Sequence, residues 1–237
     1  MTVIKINNLT KKFGDLIAVN NINLTINKGQ LFGLLGPNGS GKTTMIKMLT
    51  GQINPTNGTA DILDINVLEN PIQVRKKVGI IPEQETPPSF LTAEEYLLFV
   101  GKIRKIKNIK EKSNKWFNTL DFEDQKDALC KDLSRGTRQK LMVAQAFLHK
   151  PKLAFIDEPL INLDPIIQRT LKDYLVDYIK KGNTVFFSTH VLEIAEEICT
   201  NIGIIDKGKL LHQGPISELK NKKQHLEDFF IKLVKEG

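Results

Sequence analysis

The chain has 237 residues, 41% hydrophobic and 26% charged, with a net charge of +7. That composition is ordinary for a soluble globular protein, and the length buries a core without staples. No apolar run approaches the ~18 residues needed to cross a bilayer, and the start, MTVIKINNLTKKF, has no signal-peptide block. A cytoplasmic protein is expected, meeting membranes only through a partner. Cys130 and Cys199 match neither a zinc spacing nor a redox pair, so two buried structural thiols are expected.

In chain order, residues 2 to 33 are rich in β-formers: VIKI, then AVNNINLTI, then LFGLLG, whose unbroken apolar run predicts a buried strand. A helix is predicted from Lys42 to Thr50, stopped by Gly51. Residues 86–150 change character and read as a mostly helical lobe inserted in an α/β core. Tyr96, Leu97, Val100, Ile103 and Ile106 share one helical face, and a second helix carries Leu141, Met142, Gln145 and Leu148. The positive charge concentrates here: Lys102, Arg104, Lys105, Lys107, Lys110, Lys112 and Lys115 interleave with Ile103, Ile106 and Ile109. The solvated face of one amphipathic helix is preferred over a nucleic-acid patch.

The core resumes at Lys152. LAFID predicts a buried strand; Asp164-Pro165 is a helix N-cap and first turn, and Gly182 ends that helix. TVFFSTH predicts another buried strand, a helix follows near residues 192–198, and IGIID-KG-KLLHQG reads as a hairpin turning at Lys207-Gly208. In the tail, Leu226, Phe229, Phe230 and Leu233 fall at helical spacing. Strands alternating with helices predict an α/β fold with a mostly parallel sheet.

Two motifs carry chemistry. Gly36-Pro37-Asn38-Gly39-Ser40-Gly41-Lys42-Thr43 fits GxxxxGK[ST] without mismatch, between a strand and a helix that runs on through Thr44. Glycines let backbone N–H groups turn inward and form an anion nest at the helix start. Lys42 should reach the β- and γ-phosphates of a nucleotide, and the Thr43 hydroxyl should ligate Mg²⁺. The strand LAFID ends in Asp157-Glu158. Asp157 suits the magnesium shell, and Glu158 suits a general base for the attacking water.

With these motifs in order, the sequence resembles the nucleotide-binding subunits of ABC transporters over essentially its whole length. Leu133-Ser134-Arg135-Gly136-Thr137 is similar to the family signature LSGGQ, 24 residues ahead of Asp157; Leu163-Asp164 resembles the D-loop, and His190 the switch histidine. The resemblance implies one ATPase domain over residues 1–237 with a P-loop NTPase core. Residues 1–85 and 151–220 would form a RecA-like core with an N-terminal antiparallel β subdomain. Residues 86–150 would form the helical subdomain and 221–237 a C-terminal helix. It also implies Mg-ATP, a second copy or homologous ATPase subunit, a separate transmembrane permease, no direct nucleic-acid partner, and a place on the inner face of the cell membrane.

In that family two subunits face each other around two ATP molecules. Ser134 and Gly136 would cap a phosphate held by the partner, and His190 would orient base and water. Phe13 would stack on adenine. The tail helix resembles that of exporter-type subunits, with packing on the core as the bland alternative. Departures concern rate: Pro82 is followed by Glu83 and Gln84 where the family has Gln, and either could approach the metal. Arg135 and Thr137 alter the signature, and Leu160-Ile161-Asn162 alters the D-loop. A soluble ATPase acting on ribosomes or DNA, or a nucleotide-gated assembly module with little hydrolysis, are the alternatives.

Overall fold

A computed structural model describes residues 1–84, 87–160, 163–221 and 225–236. The expected lobe boundary at residues 85 and 86, the Ile161-Asn162 part of the D-loop, residues 222–224 at the start of the tail and residue 237 lie outside the described residues.

Two sheets carry the chain. The first has order β2-β1-β4-β5 and is antiparallel, built from β1 (Thr2–Phe13), β2 (Leu16–Asn27), β4 (Asn57–Ile62) and β5 (Ile65–Asn66). The second has order β10-β9-β3-β8-β7-β6, from β3 (Leu31–Leu35), β6 (Val78–Ile81), β7 (Leu153–Asp157), β8 (Thr184–Thr189), β9 (Asn201–Asp206) and β10 (Lys209–Pro215). The five strands from β9 to β6 run parallel, and β10 returns antiparallel to β9. Every residue of β3, β7 and β8 is buried. That is the physical meaning of the unbroken apolar runs LFGLL, LAFID and TVFFST, since parallel strands are covered on both faces.

Helices cover the second sheet. The predicted helix after the glycine-rich loop is α1 (Lys42–Leu49); Gly51, at φ +65°, follows its cap. Next come α2 (Pro71–Lys77), α3 (Ala93–Ile103), α4 (Ile109–Thr119) and α5 (Arg135–Phe147). The elements β4, β5, α2 and β6 have no counterpart in the sequence reading. Thr92 opens α3 with a full capping box, its hydroxyl accepting from Glu95 N–H while the Glu95 carboxylate accepts from Thr92 N–H. The rest are α6 (Pro165–Lys180), α7 (Leu192–Ile198), α8 (Ser217–Asn221) and α9 (Leu226–Glu236). Asp164 caps α6 as expected, accepting from Ile166 and Ile167 N–H at 3.1 and 3.0 Å.

The basic run corrects one expectation. It does not lie on one helix. α3 ends at Ile103, and Lys105 and Asn108 take left-handed backbone, φ +54° and +55°, before α4 starts. Ile106 sits in that turn and packs on the core, whereas Ile103 is 64% exposed. Most of the lysines are exposed, but Arg104 turns inward and donates to His149 Nε2 at 2.9 Å and to Lys76 O at 3.1 Å.

One apolar cluster runs from Leu31, Leu35 and Ile156 of the sheet through Leu97 of α3, Phe117 of α4 and Leu141 of α5. The helical region and the parallel sheet therefore share a core. In the tail, Leu226 is buried, and Phe229, Phe230 and Leu233 pack on the same cluster.

Candidate functional site

The glycine-rich loop stands where β3 ends and α1 begins. Gly39 and Gly41 have φ +79° and +108°, a region L side chains rarely occupy. A Cβ at Gly36 would meet Ile205 O at 2.3 Å, and one at Gly41 would meet Ala18 O at 2.4 Å. The loop is tied to its surroundings as well: Gly208 N–H donates to Ser40 O at 3.0 Å, and Asn20 N–H to Gly208 O at 2.8 Å. The Ser40 Oγ is buried with no hydrogen-bond partner among the described residues.

Lys42 is buried, its ammonium donating to Gly36 O at 2.8 Å and Pro37 O at 3.1 Å. Burial lowers its pKa, opposed by the charges of Glu158, Asp157 and Glu83. A desolvated ammonium held only by backbone carbonyls is free to meet an anionic ligand, provided a cation offsets the three carboxylates around it. Opposite it, β7 ends in Asp157, 2% exposed, whose carboxylate accepts from the Ser188 hydroxyl. Burial raises the Asp157 pKa, opposed by the nearby Ser188 and Thr43 side chains. A buried carboxylate of this kind gains from a cation beside it.

Glu158 follows at φ +50°, left-handed backbone in a residue that is not glycine. Its side chain is 8% exposed and accepts from the Thr189 hydroxyl at 3.1 Å; the His190 Nδ1 is 2.8 Å from its other oxygen. His190, just past the end of β8, thus contacts Glu158 directly. The expected metal-side pair separates. Glu83 Oε2 lies 3.3 Å from Thr43 Oγ1, while Gln84 is exposed and is not among the residues lining the cleft.

The cleft itself is about 740 Å³ and is lined by Asn38, Gly39, Thr43, Thr44, Glu83 and Glu158 on the loop side. On the other side stand Phe13, 50% exposed, and Leu16, Ile17, Ala18, Lys207 and Gly208. The sequence reading missed these last five; the signal was an apolar Leu16-Ile17 pair at an exposed hairpin turn. Ser134 and Gly136 do not line this cleft. Ser134 caps α5 instead, accepting from Thr137 N–H at 3.1 Å, with Thr137 Oγ1 at 2.8 Å.

The ABC transporter family profile matches residues 19–161. The chain belongs to the ABC transporter family. It is 35% identical over 96% of its length to the bacitracin transport ATP-binding protein BcrA of Bacillus licheniformis, spanning 74% of that protein. It is 34% identical over 92% of its length to the Nod factor export ATP-binding protein I of Cupriavidus metallidurans, spanning 72% of it. A dimeric, post-hydrolysis ATP-binding cassette, MJ0796 bound to ADP and Pi, superposes with a TM-score of 0.82 at 25% identity, over 90% of this chain and 98% of that one.

As a member of the ABC family the chain is an ATP-binding subunit and an ATPase, and the cleft at the glycine-rich loop has the chemistry that activity needs. The residues present also fit magnesium. Among the described residues no group of three or more His, Cys, Asp or Glu side chains could hold a metal alone. Magnesium asks for less: it keeps several waters and takes one or two carboxylates together with phosphate oxygens. Thr43, Asp157 and Glu83 offer that set.

Proposed function

We propose that this ATPase works as a pair, with ATP closing two copies or homologous subunits and hydrolysis opening them, and that it drives a separate membrane-spanning permease of the exporter branch. The observation that carries the reading is the separation of the two half-sites in one chain. The phosphate loop, Asp157 and Glu158 converge on one cleft, while Ser134 and Gly136 stand at the start of α5, outside it. A helix start offers inward N–H groups to an anion. Without a lysine of its own, that end suits a phosphate presented by a second subunit. Export is supported by the Nod factor relative's name.

In this reading the chain's groups divide the work. The loop N–H groups and Lys42 bind the phosphates, and Phe13 with Leu16 and Ile17 receives the base. Thr43, Asp157 and Glu83 would hold magnesium, which supplies charge neutralisation at the transferring phosphate. Glu158 takes the proton of the attacking water, held in place by Thr189 and His190. Phosphoryl transfer to water needs such positioning more than covalent help.

The test uses Glu158→Gln with and without ATP. That variant should bind ATP and, unable to hydrolyse it, run as a dimer in size-exclusion chromatography with ATP and as a monomer without. Ser134→Arg on the same background should abolish the dimer while leaving ATP binding intact. A Glu158→Gln protein that stays monomeric with ATP, both alone and beside its co-expressed partner subunit, overturns the paired reading. A neighbouring reading frame with about six apolar spans supports the permease.

A further inference from the structure

A second cavity, about 410 Å³, opens between α4, the end of α5 and α6, and shares no lining residue with the nucleotide cleft. Its size falls in the range of small-molecule sites, roughly 300–1,000 Å³. We propose that it binds a small aromatic anion: a planar ring carrying a phosphate, sulfonate or carboxylate.

The wall is aromatic. Trp116 of α4 and Tyr174 of α6 meet edge to face with centroids 5.1 Å apart, and Phe147 lies behind them, 6.0 Å from Trp116 and 5.1 Å from Tyr174. Trp116 and Tyr174 are only half-buried, so ring surface faces the cavity. The packed rings fix that surface, and a planar ligand meets it at little entropic cost.

The rim is cationic. Lys112 and Lys115 come from α4, Lys150 from the segment after α5, and Lys181 from the C-cap of α6. No carboxylate lines the cavity, and none of these four ammonium groups forms a salt bridge or hydrogen bond with a described residue. Elsewhere on the surface lysines do find acids, as Lys172 does with Glu197 at 2.6 Å. Four cations drawn from three separate segments around one concave aromatic wall form a complementary field for an anion. The ring gives affinity and the charge gives selection against neutral aromatics.

Trp116 is the single tryptophan of the chain, so its fluorescence reports this cavity directly. The probe is 4-nitrophenyl phosphate, whose absorbance overlaps tryptophan emission, titrated with the full chain. Saturable quenching with a dissociation constant below about 1 mM is expected for a ligand of this size. Nitrobenzene and inorganic phosphate should each bind at least about tenfold more weakly, as expected if ring and charge each contribute about 1.4 kcal/mol. The triple variant Lys112→Gln, Lys150→Gln, Lys181→Gln should lose the quenching and keep its ADP affinity, which also shows that it folds. The proposal is overturned by absence of saturation up to millimolar probe, by nitrobenzene binding equally well, or by quenching that survives in the triple variant.

Discussion

Glu158 joins three features in one residue: a buried carboxylate, two hydrogen-bonding neighbours and left-handed backbone. Glutamine at this position keeps the size and the contacts to Thr189 and His190 but cannot take up a proton. Steady-state phosphate release should fall about 10²-fold or more, and equilibrium ATP binding should stay within a factor of two or so. Undiminished release would remove Glu158 from the role of base. Glu83 allows a finer test, since it stands 3.3 Å from the Thr43 hydroxyl. Glu83→Gln keeps the hydrogen-bonding shape and removes one negative charge, so half-maximal activity should require several-fold more magnesium. An unchanged magnesium dependence would set Glu83 outside the metal's surroundings. The phosphate loop was legible because its signal is local: eight consecutive residues whose glycines, lysine and threonine each answer one need of a phosphate. The Glu83 contact was legible only as one of two choices. Residues 43 and 83 meet through the tertiary fold, which no spacing encodes.

At the scale of elements, buried strands were the easiest to read, because a strand covered on both faces has no polar alternation to confuse the pattern. The basic run was the hardest. Turns are commonly marked by glycine or proline, but here Lys105 and Asn108 take the left-handed backbone, so the pattern of isoleucines passes through the break unmarked. Small elements also escaped: β5 has two residues and β6 four, too few for a period to repeat. The inward turn of Arg104 has a measurable effect. His149 accepts from it through Nε2, and its Nδ1 is buried without a hydrogen-bond partner among the described residues. Burial first, and the Arg104 charge second, push the His149 pKa down from 6.5 to about 4. The unfolded chain takes up this proton near its ordinary pKa, and the folded chain only near the lowered one. Stability should therefore decline as pH falls from about 6.5 to about 4, with a slope below ~1.4 kcal/mol per pH unit because the ring is part-exposed. Urea midpoints across that window, compared with His149→Gln, check it; parallel profiles for the two proteins would refute the assignment.

At the scale of the whole molecule, two sheets share one apolar cluster and both reach the phosphate loop. The N-terminal sheet reaches it through β2, which brings the Ala18 carbonyl against Gly41, and the parallel sheet through the turn between β9 and β10, which brings the Gly208 N–H to Ser40. Both sheets therefore touch the phosphate loop and, through Asn20 and Gly208, each other, and the cleft lies at that seam. A ligand in a seam acts on both margins. Nucleotide at about a hundred times its dissociation constant adds ~2.7 kcal/mol to the stability of whatever opening would expel it. Amide hydrogen exchange of Val19 and Asn20 in β2 should then slow together with that of Ser40 when ADP is added, while the amides of α9 keep their rates. Protection confined to the loop would mean that the sheets open independently. Joint protection would mean that the nucleotide also serves as mortar, so that an emptied protein is a looser one.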